Sequence, residues 1–204
     1  MPRELTEDEI DNLIYSARVD DLVTLKLIIE RLSSELNQSE SQVLLQAVDP
    51  YSKSSPLHMA CANGHLDIVE YILSKFSSRI SDSSHSIVKL KNDSGNTPLH
   101  WACLNGHQKI IEKLCDSGAD PFEKNLAGQD CFFQAENNEK LDVVDYLLQR
   151  YQEVLYEEED TKTEPIDTET TAHGPSESHP EECDPETNAI NGKLENLDVQ
   201  ENGI

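Results

Sequence analysis

The segment SPLHMACANGH, at residues 55–65, recurs as TPLHWACLNGH at residues 97–107, and this repetition decides the fold. Each copy leads into a stretch in which pairs of apolar side chains recur at helical spacing, around Ile68 and Ile110. A unit of this size cannot bury its apolar face alone and is stabilised by stacking on its neighbours. The sequence therefore predicts an all-α solenoid of stacked helix pairs.

Weaker copies of the unit flank the two strong ones. Gly128 lies 33 residues after Gly95, which sets the register of a copy on the C-terminal side. On the N-terminal side, Asp20 falls at the position of Gly64. Terminal repeats are expected to differ, because one face of each meets water. We predict four repeats, the outer two being modified caps, at approximately residues 8–36, 51–76, 92–118 and 125–150.

The repeated segment resembles the ankyrin-repeat family, whose period is about 33 residues. The resemblance implies a finger-like turn, two antiparallel helices and a loop in every repeat. Thr97 and Pro98 suit the start of a first helix, since a hydroxyl caps free amides and proline fits the first helical position. Gly64 and Gly106 permit the tight turn between the two helices.

Two spacings are longer than this period. Leu13 to Leu57 is 44 residues and Leu57 to Leu99 is 42, an excess of about 11 and 9 residues. We expect the extra residues in polar, Ser-rich loops near 33–42 and 77–86. These loops are either inert insertions or contact loops, because loops tolerate insertions and also carry function.

The composition changes near residue 152. From Glu153 to the end there are 16 acidic residues against two lysines, a net charge of −14. Such a segment cannot bury enough apolar area to offset the entropy of ordering. We therefore predict an ankyrin-repeat domain at residues 6–152 and a disordered acidic tail at residues 153–204.

The tail has two interpretations. The acidic run that opens it, Glu157, Glu158, Glu159 and Asp160, either keeps the chain soluble or screens the positive charge of a basic ligand. Near the end, Ile190, Leu194, Leu197 and Val199 have the spacing of a leucine-rich nuclear-export signal. The alternative for this second motif is a short amphipathic turn that contacts the domain or a partner.

Charge and cysteine content exclude several classes of partner. The net charge is −24, of which residues 1–152 hold −10, so both parts repel nucleic acid and anionic lipid and favour a basic protein. No apolar run is long enough to span a bilayer. Five cysteines without a disulfide framework indicate a reducing intracellular compartment. They are interpreted as small core residues, except Cys131 and Cys183, which we expect at the surface.

The sequence has no recognisable catalytic or metal-binding arrangement. It contains no phosphate-binding glycine loop, nucleophile elbow or metalloprotease motif. His58, His65, His100 and His107 lack the spacing of metal ligands and occupy the structural histidine positions of the repeat. We therefore predict a binding protein that is not an enzyme and needs no metal or cofactor.

Ankyrin arrays bind partners through a concave face made of finger tips and first-helix residues. Trp101, the only tryptophan, falls on this face, where it either packs between repeats or acts as a binding hot spot. Carried over by register, the candidates for partner binding are Tyr51, Met59, Asn63, Asp93, Asn96, Trp101, Leu104, Asn105, Leu126, Asn137 and Asn138.

The fourth repeat departs from the general pattern in a discriminating way. The segment ADPF at residues 119–122, followed by Gly128, Phe133 and AEN at 135–137, resembles a family of ankyrin-repeat chaperones of a small-subunit ribosomal protein that carries a KH domain. The resemblance implies a monomer that binds this basic ligand one-to-one, keeps it soluble for subunit assembly, and works in cytoplasm and nucleus. The alternatives are a generic ankyrin adaptor in signalling or transcriptional regulation, and a stress protein without a single ligand.

Overall fold

The computed structural model describes residues 3–76 and 87–152. The chain separates into two units, residues 1–163 and 164–204, and all described residues belong to the first. Nine helices lie wholly within the described part, which contains no strand. They are α1 (Glu7–Arg18), α2 (Leu22–Leu36), α3 (Glu40–Gln46), α4 (Pro56–Asn63), α5 (Leu66–Ser74), α6 (Pro98–Asn105), α7 (Gln108–Asp116), α8 (Cys131–Asn137) and α9 (Leu141–Arg150).

Eight of these helices form four stacked pairs, α1–α2, α4–α5, α6–α7 and α8–α9. The first helices pack in the order α1, α4, α6, α8, and the second helices of the last three pairs pack on one another. The core is continuous, running from Leu13 in the first pair to Leu147 in the fourth. This arrangement confirms the predicted all-α repeat solenoid.

The first helices start where the sequence indicates. Ser55 and Thr97 are N-caps in extended conformation, and Pro56 and Pro98 follow at the first helical position. Asp130 caps α8 in the same way, and its carboxylate accepts a hydrogen bond from the Phe133 amide at 2.9 Å. An oxygen at this position satisfies an amide that the helix leaves free.

The turn between the paired helices needs a left-handed residue. Gly64 and Gly106 supply it at φ 81° and 80°, whereas the outer repeats place Asp20 and Glu139 there at φ 62° and 58°. A Cβ on Gly64 would lie 2.7 Å from Cε1 of His107, so the next repeat closes over this glycine. Glycine avoids both the clash and the cost of the left-handed conformation.

The prediction of a polar loop near residues 33–42 is wrong. Helix α2 continues to Leu36, and α3 begins at Glu40, so most of this insertion is helical. Val43 and Leu44 of α3 are fully buried, and Nζ of Lys75 lies 2.6 Å from the Glu40 carboxylate. The insertion therefore leads into a short helix, α3, which adds Val43 and Leu44 to the core. The second insertion, 77–86, lies outside the described residues.

The prediction for Cys131 is also wrong. This side chain is fully buried, because the first position of a first helix faces the preceding repeat, as buried Pro56 and Pro98 do. Burial raises the pKa of the Cys131 thiol well above its usual value, so the thiolate is suppressed. Cys183 lies outside the described residues.

Candidate partner-binding surface

Three fingers project from the array, at residues 49–54, 92–97 and 125–130. In each finger a side-chain oxygen holds the turn. Oδ1 of Asn92 accepts the amides of Ser94 and Asn96 at 3.0 and 2.8 Å, and Asn125 does the same for its own turn. Asp49 accepts two amides in the first finger, and these bonds lower the pKa of its carboxyl group.

Neighbouring fingers are joined through their backbones. The amide of Asp93 donates to the Ser52 carbonyl at 2.9 Å, and the amide of Leu126 donates to the Ser94 carbonyl at 3.1 Å. The tip side chains are therefore not needed to hold the fingers. Tyr51 and Leu126 are 81% and 80% exposed, and Asp93 at the equivalent position is also exposed.

The second and third fingers are each clamped to the preceding first helix by one buried histidine. The Thr97 amide donates to Nδ1 of His100 at 3.2 Å, so Nδ1 carries no proton and Nε2 does. Nε2 of His100 then donates to the Gln129 carbonyl in the next finger at 3.2 Å. His58 makes the same contacts with the Ser55 amide and, at 3.1 Å, the Asn96 carbonyl.

These clamps require neutral imidazole. Burial lowers the pKa of His58 to about 4, and burial also lowers that of His100. A proton added at Nδ1 would face an amide N–H that has no other acceptor. The histidines are therefore structural parts that fix the spacing of the fingers.

A second set of contacts joins neighbouring repeats at the turn side. Nδ2 of Asn105 donates to the Ala62 carbonyl at 2.9 Å, and Nε2 of His107 lies 3.3 Å from the same oxygen. His65 repeats the histidine contact one repeat earlier, 2.8 Å from the Arg18 carbonyl. One carbonyl oxygen has two lone pairs, so both contacts to Ala62 can be made together.

In the ankyrin register, one side-chain position of every first helix falls on the predicted concave face. This position is Tyr15, Met59, Trp101 and Gln134 in chain order. Tyr15 is 63% exposed, Met59 and Trp101 are half-buried, and Gln134 is buried with its amide bonded to Gln129 at 2.9 Å. The row is thus apolar along three repeats and ends at the fourth.

The indole of Trp101 is oriented with its N–H inward. Nε1 is buried and makes no hydrogen bond within the described residues. All accessible side-chain area of Trp101 is therefore carbon, and half-buried Leu104 one helical turn on adds to it. This part of the face offers a partner apolar contact and no hydrogen bond.

A hollow of about 300 Å³ lies at the N-terminal end of the row. Its walls include Tyr15 and Met59 together with the acidic residues Asp11 and Asp49. Nη2 of Arg18 lies 3.4 Å from Sδ of Met59 and forms another part of the wall. Carboxylates beside an aromatic ring suit the aliphatic stem and cationic head of a Lys or Arg side chain.

A family model described as ankyrin repeats in three copies matches residues 13–125 and 80–160. The chain belongs to the ankyrin-repeat family. It is 45% identical over 163 residues to the ankyrin repeat-containing protein YAR1 of Saccharomyces cerevisiae, covering 78% of each protein. It is 32% identical over 140 residues to the ankyrin repeat-containing protein P16F5.05c of Schizosaccharomyces pombe, covering 69% of this chain and 84% of that protein.

A solved ankyrin-repeat structure is also similar. It is the crystal structure of yeast ribosomal protein Rps3 in complex with its chaperone Yar1. The match has a TM-score of 0.65 and 38% sequence identity, and it covers 80% of this chain and 99% of that chain. At this identity the likeness extends beyond the fold to the sequence of the repeats.

The ankyrin register now places each predicted binding residue. Tyr51, Asp93 and Leu126 are finger tips, and Met59, Trp101 and Leu104 line the concave face. The carboxamides are used largely inside the array. Asn63 and Asn138 donate to the carbonyls of Met59 and Gln134 at 2.8 Å, Asn105 bridges two repeats, Asn96 accepts from Asn125 at 2.8 Å, and Asn137 is exposed.

Tyr15, Asp11 and Asp49 were missed by sequence reasoning. The signal for Tyr15 was present, because extending the ankyrin register one repeat toward the N-terminus aligns Tyr15 with Met59 and Trp101. The two aspartates have no such signal, since they come together only when the first finger folds beside α1.

Much of the basic charge of the ankyrin domain is already paired. The pairs that join different repeats or elements at 2.6–2.9 Å are Lys75–Glu40, Lys91–Glu123, Lys113–Glu70 and Arg150–Asp116. Exposed pairs of this kind add little stability. They do not remove the acidic excess of residues 1–152, whose net charge is −10.

Other predicted features lie outside the described residues. These are the acidic run Glu157–Asp160 and the export-like motif from Ile190 to Val199. Within residues 3–76 and 87–152 no helix is long and apolar enough to cross a bilayer. The same residues contain no group of three side chains that could hold a metal ion.

Proposed function

We propose that this chain is a dedicated chaperone that binds a basic ribosomal protein of the small subunit and keeps it soluble for subunit assembly. The observation that carries the proposal is the similarity to Yar1, which extends over 99% of the chain that is bound to Rps3. The 45% identity to yeast YAR1 over 78% of both proteins supports the same ligand class.

Charge supports this ligand independently of the relatives. Ribosomal proteins carry cationic surface for RNA, and an acidic domain followed by a segment of net charge −14 complements it. Electrostatic complementarity raises the association rate and is weakened by salt. Binding should therefore weaken as ionic strength rises.

The concave row is the proposed contact for an amphipathic segment of the ligand. Its apolar side lies on Trp101 and Leu104, and a basic side chain enters the hollow beside Asp11 and Asp49. Because Nε1 of Trp101 points inward, the indole contributes carbon surface alone. The finger tips Tyr51, Asp93 and Leu126 would add contacts at the rim.

This function is binding without catalysis, and it sets the other properties that we propose. The chain acts as a monomer, one copy to each ligand. A ribosomal protein is made in the cytoplasm and assembles in the nucleus, so we propose that its chaperone works in both compartments. The tail screens the ligand's remaining positive charge.

The first test is whether the full chain keeps yeast Rps3 in solution. Light scattering of Rps3 should fall when the chain is added at a one-to-one ratio. Lysozyme, a basic protein that is no ribosomal component, should show no such protection. Equal protection of lysozyme would favour a general stress protein, and failure to bind Rps3 at low and moderate salt would refute the proposed ligand.

The second test concerns the indole. Trp101→Ala should weaken Rps3 binding by tenfold or more, about 1.4 kcal/mol, because a half-buried aromatic anchor is lost. Trp101→Phe is the matched control and should keep most of the affinity, since the indole N–H is not accessible. If Phe binds as poorly as Ala, an aromatic carbon surface at this position is not enough for binding and the apolar-contact model is wrong.

A further inference from the structure

The outward face of the fourth repeat carries four apolar residues, three of them at positions that a following repeat would cover. We define this end face by Phe133 of α8 and by Leu141, Val144 and Leu148 of α9. In register they correspond to His100, Gln108, Ile111 and Cys115 of the third repeat. His100 meets the next finger, and Ile111 and Cys115 lie in the core between repeats.

Exposure differs sharply between the two repeats. His100, Ile111 and Cys115 are 1%, 0% and 8% exposed. Phe133 and Leu148 are 44% and 46% exposed, and Val144 is half-buried. Leu141 is 65% exposed, but its counterpart Gln108 is exposed as well, so Leu141 extends the patch without showing a difference between the repeats. A solenoid that simply ended would place polar residues here, since a terminal repeat shows this face to water. The fourth repeat instead places phenylalanine and leucine there.

The charges around the end face are of one sign. The two cations of α8, α9 and their connecting turn are directed toward the third repeat. The stem of Lys140 covers Gly106, and Arg150 pairs with Asp116 at 2.7 Å. The exposed charged residues left are Glu136, Glu139, Asp142 and Asp145. We call these four carboxylates, which lie on the same two helices and connecting turn as the apolar patch, its acidic rim.

Charge complementarity distinguishes three occupants of such a face. The remainder of this chain, residues 153–204, has a net charge of −14 and is repelled by the rim. A second copy would bring its own acidic rim against the first. A segment with apolar side chains flanked by Lys or Arg buries the patch and pairs with the rim.

We propose that the end face is a second docking surface for a basic amphipathic segment of the ribosomal protein ligand. It is distinct from the concave row, and the proposal rests on the function proposed above. The ligand then takes the place of a fifth repeat. Covering both surfaces requires a ligand that wraps around the C-terminal end of the array.

The test compares two pairs of exposed apolar residues in the full chain. The end-face variant is Phe133→Gln with Leu148→Gln, and the matched control is Val23→Gln with Leu27→Gln on α2, where the side chains are 70% and 62% exposed. The end-face variant should bind yeast Rps3 about tenfold or more weakly, and the control should bind like wild type. Unchanged melting temperatures would verify that both variants fold.

Methyl NMR of the full chain identifies the occupant. The Leu148 methyl signals should be broadened by a soluble paramagnetic agent in the free chain and protected in the Rps3 complex. Protection in the free chain at every concentration means that its own tail covers the face, and protection that grows with concentration means a second copy. Either result overturns the proposal.

The affinities separate this proposal from the proposed function. If wild type binds Rps3 and the end-face variant binds equally well, the end face is not a docking surface and the chaperone function stands. If wild type does not bind Rps3 at all, the proposed function fails and the end face loses its ligand with it.

Discussion

The two inner repeats and the two outer repeats follow one register but differ in what surrounds each residue. In the inner repeats the turn glycines lie under a side chain of the following repeat, and both clamp histidines contact the next finger. The outer repeats replace the glycines with Asp20 and Glu139. The difference teaches that the residue found at a given register position depends on the neighbouring repeat as much as on the repeat itself.

The largest expected effect is a difference in stability loss between a buried leucine of an inner repeat and an exposed leucine of an outer repeat. Leu99→Ala removes a fully buried side chain of the third repeat and should lower the free energy of unfolding by about 2–5 kcal/mol. Leu148→Ala in the fourth repeat removes a side chain that is 46% exposed and should cost under about 1 kcal/mol. Urea unfolding of both variants measures the difference, and similar losses would mean that Leu148 is buried in solution.

A second prediction uses the inner clamp at His58. The folded pKa of about 4 lies below the ordinary value of 6.5, so between these pH values only the unfolded chain binds the proton. Stability present above pH 6.5 is therefore lost as pH falls toward 4, by about 3 kcal/mol at roughly 1.4 kcal/mol per pKa unit. The free energy of unfolding, measured from pH 7 to 4.5, should fall accordingly.

The control for this pH effect is His58→Gln. This variant should be less stable at pH 7, because the bond to the Asn96 carbonyl is altered, but its stability should fall less steeply on acidification. Carboxylates such as Glu9, whose pKa is lowered to about 2 by Arg3, lose their contribution at lower pH and are common to both proteins. Equal slopes for the two proteins would contradict the role assigned to His58.

A smaller prediction exchanges the turn residues between repeat types. Gly64→Ala should lower the free energy of unfolding by at least about 1–2 kcal/mol, because alanine is strained at φ 81° and meets the His107 ring. Glu139→Gly, at φ 58°, should instead raise it by up to about 1 kcal/mol. Thermal melting of both variants shows whether each change raises or lowers stability. If both variants are less stable than wild type, the turn of the outer repeat is not strained.

The fold could be predicted from sequence because the register repeats. Two strong copies fix the helix pairs, the caps and the turn glycines, and each of these appears at the expected residue. The histidines could be assigned to structure for the same reason. Their bond to the next finger could not, because it depends on a carbonyl that lies 29 to 38 residues away in the chain.

The errors come from residues whose surroundings the register does not describe. Helix α3 falls between repeats, and it packs on α2 with Val43 and Leu44 in the core. Cys131 replaces a proline and looked exposed, but the preceding repeat buries that position whatever residue it holds. The candidate site was predicted from the register, whereas the use of Asn96 and Asn105 inside the array depends on side-chain bonds across repeats.

The backbone bonds between fingers have a consequence for how this protein can change over generations. Because Ser52 and Ser94 contribute only their carbonyls, the tips at Tyr51, Asp93 and Leu126 can mutate without loosening the frame that spaces them. An aromatic, an acidic and an aliphatic residue already occupy the three equivalent tips. Binding preference and folding can thus evolve separately, so mutations at these three exposed positions in a duplicated gene can change the partner that is bound without changing the fold.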